Sequence, residues 1–325
     1  MQTVVGEFVA RRGLRGGHLQ TLASFFLPRR IALPAAEKRL IEVEPGAQVM
    51  CHCHWQPDRV RCLTVIIVHG LEGSSESQYM LGIAAKGMAA GMNVVRMNQR
   101  NCGGTDALSP TLYHSGRSQD IAAVAQNLIQ QDRISRFALA GFSMGGNLVL
   151  KLAGEWGREA PPQFRAVVAV CPSMNLAASA DALHLAGNRV YEFYFMWQLR
   201  RRLRAKARLF PQAFDTSRLR GVTTLRDFDD KITAYYCGFE GASDYYERSA
   251  AANVVDRIAV PTLILHAAND PFIRILPETR KKILSNPNIA FVETEDGGHC
   301  SFIAKPDGDD GRWAERRVVD FVREF

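Results

Sequence analysis

The chain has 325 residues, of which 47% are hydrophobic and 22% charged, with a formal net charge of +7. That length can bury a large core as one α/β domain with insertions or as two smaller domains, and the composition is ordinary for a soluble globular protein. No apolar run approaches the roughly 20 residues of a membrane-spanning helix. Residues 1–20 carry arginines and glycines where a signal peptide has a continuous apolar core, so a cytoplasmic location is expected.

In chain order, residues 39–43 and 48–55 read as an antiparallel strand pair joined through Pro45-Gly46. Residues 63–69 form an apolar strand, followed by a helix over 78–90, a strand over 93–97 and a helix over 118–131. A strand, turn and helix then span 137–150, and 166–171 is another buried strand. Strands at 262–266 and 289–293 enclose a helix over 277–284, and an amphipathic helix over 312–325 closes the chain. Strands alternating with helices predict the α/β class, a mostly parallel central sheet flanked by helices. Between 173 and 258 no sheet strand is expected. The segment is aromatic-rich and helical in pattern, and reads as a cap inserted over the carboxyl edge of a core made of 1–172 and 259–325, with an N-terminal extension over about 1–35.

The charge is local. Seven basic residues (Arg189, Arg200, Arg201, Arg202, Arg204, Lys206, Arg208) and one acid (Glu192) give residues 189–208 a charge of +6, which leaves +1 for the rest. No nucleic-acid motif accompanies them, so no nucleic-acid partner is expected. Leu199, Leu203, Ala207 and Phe210 fall on one helical stripe. The favoured reading packs that stripe on the domain beneath a solvated basic face; peripheral contact of 189–210 with an anionic membrane is the alternative.

The seven cysteines are scattered, which fits reduced thiols better than a disulfide framework. Strand alternation in Cys51-His52-Cys53-His54 sends cysteines and histidines to opposite faces, so no metal site is expected there.

The chemistry centres on Gly141-Phe142-Ser143-Met144-Gly145, set between an apolar strand and an apolar-periodic helix. A serine on so sharp a turn needs side-chain-free neighbours, and the turn presents its hydroxyl beside the free N–H groups of the helix start. Its base and orienting acid are expected after later strands, acid first. Asp270 follows the 262–266 strand, and His299 follows 289–293 in Asp296-Gly297-Gly298-His299. His52, His54 and His266 fall inside strands, while His18, His114 and His184 fall outside the expected loop. Asp229 and Asp230 belong to the insertion, and Cys171-Pro172-Ser173-Met174-Asn175 offers no carboxylate. For the oxyanion hole the expected donors are the N–H of Met144 and that of Leu71, in His69-Gly70-Leu71-Glu72-Gly73. His69 reads as a structural residue below that loop.

Together with Asn101-Cys102-Gly103-Gly104, Tyr113-His114-Ser115-Gly116, Phe228-Asp229-Asp230-Lys231-Ile232-Thr233, Tyr245-Tyr246 and Gly17-His18-Leu19-Gln20-Thr21-Leu22, these motifs resemble the YheT-like esterase and lipase subgroup of the α/β-hydrolase superfamily. The resemblance implies a serine esterase acting on acylglycerols or medium-chain esters, with no cofactor. An acyltransferase with the same triad is one alternative, and a non-catalytic ligand-binding relative another. The aromatic cap points to a small-molecule ester with an apolar acyl group.

Overall fold

In the computed structural model, which describes residues 7–325, eight strands form one sheet in the order β1-β2-β4-β3-β5-β6-β7-β8. β1 (Glu37–Glu44) and β2 (Ala47–His54) are antiparallel, turning at Pro45-Gly46 with Gly46 at φ +74°. β2 is also antiparallel to β4 (Asn93–Met97). The pairs that link β4 to β3 (Thr64–Val68), β5 (Phe137–Phe142), β6 (Phe164–Val170), β7 (Thr262–Ala267) and β8 (Ile289–Thr294) are all parallel. These strands lie within two residues of where the apolar runs put them.

Among the described residues the helices begin with α1 (Gly17–Phe26), inside the N-terminal extension, which the sequence pattern did not reveal as a helix; residues 1–6 of that extension lie outside the described residues. α2 (Gln78–Ala89), α3 (Ser118–Asp132) and α4 (Met144–Trp156) alternate with strands. Between β6 and β7 the chain forms helices and no strand: α5 (Leu176–Leu183), α6 (Arg189–Leu209), α7 (Leu225–Phe228), a π-helical turn at Asp229–Ala234, α8 (Tyr235–Cys237) and α9 (Ala242–Ser249). α10 (Pro277–Ser285) and α11 (Trp313–Val322) complete the core.

The inner strands are buried on both faces, and side-chain alternation divides their residues between two cores. Ile66, Val68 and Leu139 pack with Ile121 and Val124 of α3 and Leu148 of α4. Val65, Ile67 and Ala140 pack with Met80 and Ile83 of α2 and Val318 of α11. Cys51 and Cys53 enter the first core, as alternation required. All seven cysteines are free thiols.

The expected apolar stripe on α6 does pack inward: Leu199 and Leu203 join Phe214, Phe228 and Ile232, with Ala207 and Phe210 against them. The basic face is not wholly solvated, however. Lys206 is fully buried, donating to the Asp106 carbonyl at 3.0 Å and to the Ser109 carbonyl, and burial brings its ammonium down to about 8. Arg202 is also turned into the core.

Arg100, just after β4, is 1% exposed and ties three elements together. It grips Asp120 of α3 through Nε and Nη2, both at 2.6 Å, and also pairs with Glu44 at the end of β1. Arg100→Met leaves the buried Asp120 carboxylate unpaired, so urea denaturation should show a loss of about 3–5 kcal/mol. A loss below about 0.5 kcal/mol, the range of an exposed pair, would contradict this.

Candidate active site

The turn between β5 and α4 holds Ser143 at φ +54° and ψ −118°, outside the regions that L-residues prefer. Crowding explains both flanking glycines. A Cβ on Gly141 would collide with the Gly145 carbonyl, and one on Gly145 would strike the carbonyls of Val68 and His69 at the end of β3. The bend is fastened by Ser143 N–H donating to the Val170 carbonyl at 2.9 Å and by the Asn147 N–H donating to the Ser143 carbonyl at 3.0 Å.

Asp270 and His299, from the loops after β7 and β8, come together: Nδ1 of His299 lies 2.8 Å from Oδ2 of Asp270. The other carboxylate oxygen accepts the N–H groups of Phe272 at 3.1 Å and Ile273 at 2.9 Å. Burial alone would raise the Asp270 carboxyl, but the charge and hydrogen bond of His299 and the Ile273 N–H hold it below its usual value. Burial likewise disfavours imidazolium at His299, yet the Asp270 carboxylate raises its pKa above the usual one. The Phe272 ring packs 4.4 Å from the imidazole. Ser143 is not hydrogen-bonded to His299 in this structure; the two line the same cavity.

The position of His299 depends on α1. Its backbone N–H donates to Thr21 Oγ1 at 2.9 Å, and that hydroxyl donates to the Gly17 carbonyl at 2.6 Å. Gly17 lies so close to Asn269, beside the acid, that any side chain there would collide with the Asn269 carbonyl. Gln20 Nε2 donates to the Ile303 carbonyl at 3.1 Å, and its Oε1 accepts the Ile303 N–H at 2.8 Å. The sequence motif at 17–22 is thus a buttress under both the acid and the histidine loops.

On the other side of the serine runs the loop after β3. A Cβ on Gly70 would stand 3.1 Å from Ser143 Cβ, so the loop backbone approaches the serine directly. His69 is fully buried beneath it: Nε2 accepts the Gln99 N–H at 3.1 Å and Nδ1 donates to the Gly70 carbonyl at 2.8 Å. Burial holds that imidazole down to about 4 and therefore neutral. Among the described residues, neither the Leu71 N–H nor the Met144 N–H donates a hydrogen bond, and both residues line the cavity at Ser143.

Two residues the sequence reading passed over hold this loop. Glu72, at φ +55°, receives Arg202 of α6 in a forked pair, with Nε and Nη2 each 2.8 Å from the carboxylate, and also accepts Tyr113 Oη–H at 2.6 Å. The pair is half-buried and bidentate, the strong form of such a contact. A third missed residue, Asp229, lines the cavity under the cap, where burial pushes its carboxyl up to about 6 against hydrogen bonds from Thr233 and Tyr246, each 2.8 Å long. Its place in the Phe228–Thr233 motif was the one available signal.

Two cavities meet at Ser143 and Leu71. One lies beneath the helices inserted between β6 and β7, walled by Leu112, Leu176, Leu199, Leu203, Phe228 and Phe272. The second holds His299 and Tyr79 and is bordered by Phe25, Tyr194 and Arg312.

Strand order, a serine turn after β5, and an acid and histidine after β7 and β8 define the α/β-hydrolase class. The α/β hydrolase fold family matches residues 64–306. The chain is 31% identical over 324 residues to "Putative esterase YheT" of Escherichia coli (strain K12), covering 98% of this chain and 94% of that one. It therefore belongs to the α/β-hydrolase family, in the YheT-like group. It is also 28% identical over 244 residues to "Phospholipase ABHD3" of Mus musculus, covering 74% of this chain but only 58% of that protein. Among solved structures, esterase Pf2001 of Pyrococcus furiosus aligns with a TM-score of 0.58 at 16% identity, covering 92% of this chain and 98% of that one. The esterase of Pyrobaculum calidifontis aligns with a TM-score of 0.59 at 16% identity, covering 95% and 90%.

Thr21→Val should leave the His299 N–H without a partner and cost about 1–3 kcal/mol of stability. Hydrolysis assays should show a fall in kcat with little change in KM, restored by Thr21→Ser. Wild-type kcat in Thr21→Val would refute the buttress role.

Proposed function

We propose that the protein is a serine carboxylic-ester hydrolase that works through an acyl-enzyme on medium-chain or acylglycerol-type esters, in the reducing cytoplasm that suits its free thiols. The observation that carries the reading is the Asp270–His299 pair at 2.8 Å, opening into the cavity that Ser143 lines from its strained turn.

In this mechanism Ser143 Oγ attacks the ester carbonyl while His299 Nε2 takes its proton; substrate binding closes the serine–histidine hydrogen bond. Asp270 keeps the proton of neutral His299 on Nδ1 and stabilises the imidazolium that forms. The oxyanion develops against the N–H groups of Leu71 and Met144, donors that need not abandon another partner to receive it. His299 then gives its proton to the leaving alkoxide oxygen. Water, activated by the same imidazole, attacks the acyl-enzyme, and collapse of the second tetrahedral intermediate frees the acid and restores Ser143.

The two cavities divide the substrate. The acyl chain occupies the apolar space under the cap, residues 173–258, and the alcohol lies toward the second cavity, on the side of its proton donor. That apolar chamber supports an acyl group longer than acetyl.

The test is a series of p-nitrophenyl esters from short to long acyl chains. Ser143→Ala should lower kcat by about 10⁴-fold or more. No turnover of any ester by the wild-type protein, or equal turnover by Ser143→Ala, would overturn the proposal. Only neutral His299 acts as base, so kcat/KM should rise with pH through the pKa of His299, which Asp270 holds above the ordinary value. Asp270→Asn removes that charge: the acid limb should move to lower pH while kcat falls about 10⁴-fold. An acid limb that does not move would contradict the assigned pairing.

A further inference from the structure

The outward face of α6 is a single stripe with two chemically distinct halves. Phe193, Tyr194 and Trp197 come first, then Arg201, Arg204 and Arg208; all six are exposed, and from Tyr194 onward they fall at spacings of three or four residues. Phe193 is 72% exposed and Trp197 49%. Beside them α1 presents Phe25, 63% exposed, and Phe26, 80% exposed, with the Phe25 and Tyr194 rings 6.3 Å apart. Two helices far apart in sequence thus build one aromatic patch, in a form that water disfavours.

Its position and charge narrow what covers it. Phe25 and Tyr194 border the cavity that reaches Ser143 and His299, so the patch adjoins a mouth of the candidate active site. The only carboxylate of α6, Glu192, is buried and occupied, bonding His184 Nδ1 at 2.8 Å and the Leu225 N–H at 3.1 Å, so the stripe carries arginine charge without an acid of its own. Arg201 lies over the Trp197 ring, 5.7 Å from its centre, joining the two halves. Aromatic rings beside a row of guanidinium groups match the boundary of an anionic bilayer, where rings sit among headgroups and arginines meet lipid phosphates.

We propose that the α1–α6 face docks on an anionic phospholipid surface, with the aromatic half in the headgroup layer around the cavity mouth and the arginine half against the phosphates. Apolar ester then reaches Ser143 from the lipid side without crossing bulk water. Docking stands independently of the chemistry; only this delivery step rests on the esterase reading. The residues responsible are not the Leu199–Leu203 stripe, which is spent on the cap core, but its outward neighbours.

The experiment is co-sedimentation of the full chain with vesicles of phosphatidylcholine alone or mixed with phosphatidylglycerol. Binding is expected to the mixed vesicles only, weakened by salt, and equally for Ser143→Ala. Phe193→Ser with Trp197→Ser, and separately Arg201→Glu with Arg204→Glu, should each lower partitioning about tenfold or more, while turnover of a soluble short-chain ester stays at the wild-type rate. The proposal is overturned if the wild type does not bind, binds both vesicles equally, or binds as well in both double variants. It is also overturned if the face instead forms a dimer in solution that Phe193→Ser with Trp197→Ser abolishes. An inactive protein that binds as expected counts against the esterase reading and not against docking.

Discussion

The site depends on how closely the start of α4 approaches the ends of β3 and β5. Gly145 lies against the carbonyls of Val68 and His69, and Gly141 lies against Gly145, with no room for a methyl group at either. That approach forces the left-handed φ at Ser143, a distortion that costs on the order of 1–3 kcal/mol and persists because the surrounding hydrogen bonds over-determine it. The same approach brings the Leu71 loop beside the serine and leaves the first N–H of α4 at its side. The serine's exposure and its neighbouring donors are consequences of one packing constraint.

The remaining parts are held against that point by two helices distant in sequence. α1 braces the acid and histidine loops through Thr21, Gln20 and the bare surface of Gly17. α6 reaches down from the helical insertion, and Arg202 clamps Glu72 next to the proposed oxyanion donor. A helical insertion that grips the Leu71 loop links the wall of the adjoining cavity to the proposed reaction centre. Shifting α6 would move Leu199 and Leu203 in the cavity wall and Arg202 at the loop together, so in the proposed mechanism substrate fit and transition-state stabilisation share one element.

Most of the sheet was legible because its strands are short apolar runs with no competing pattern, as at Thr64–Val68 and Phe137–Phe142. The order and spacing of Ser143, Asp270 and His299 were legible because each sits just past such a run. What could not be read was set by partners distant in sequence. α1 opens on glycines with no side-chain cap to mark its start, and its value lies in contacts some 280 residues away. Arg202 and Lys206 look like solvated charges until Glu72 and the Ser109 carbonyl are brought to them. Asp229 looked like an ordinary residue of the insertion until the π-helical turn put it on the cavity wall.

The central claim is that the Ser143 turn, the Leu71 loop and the Asp270–His299 pair form one preorganised acyl-transfer centre. A crystal structure of the protein after reaction with an alkyl fluorophosphonate tests it most directly. The account predicts phosphorus bonded to Ser143 Oγ, with its non-ester oxygen within about 3.1 Å of both the Leu71 and the Met144 nitrogens. The alkyl chain should lie under the cap between Leu199 and Phe228. Phosphorylation at another residue, or an adduct at Ser143 whose oxygen points away from both N–H groups, would contradict it.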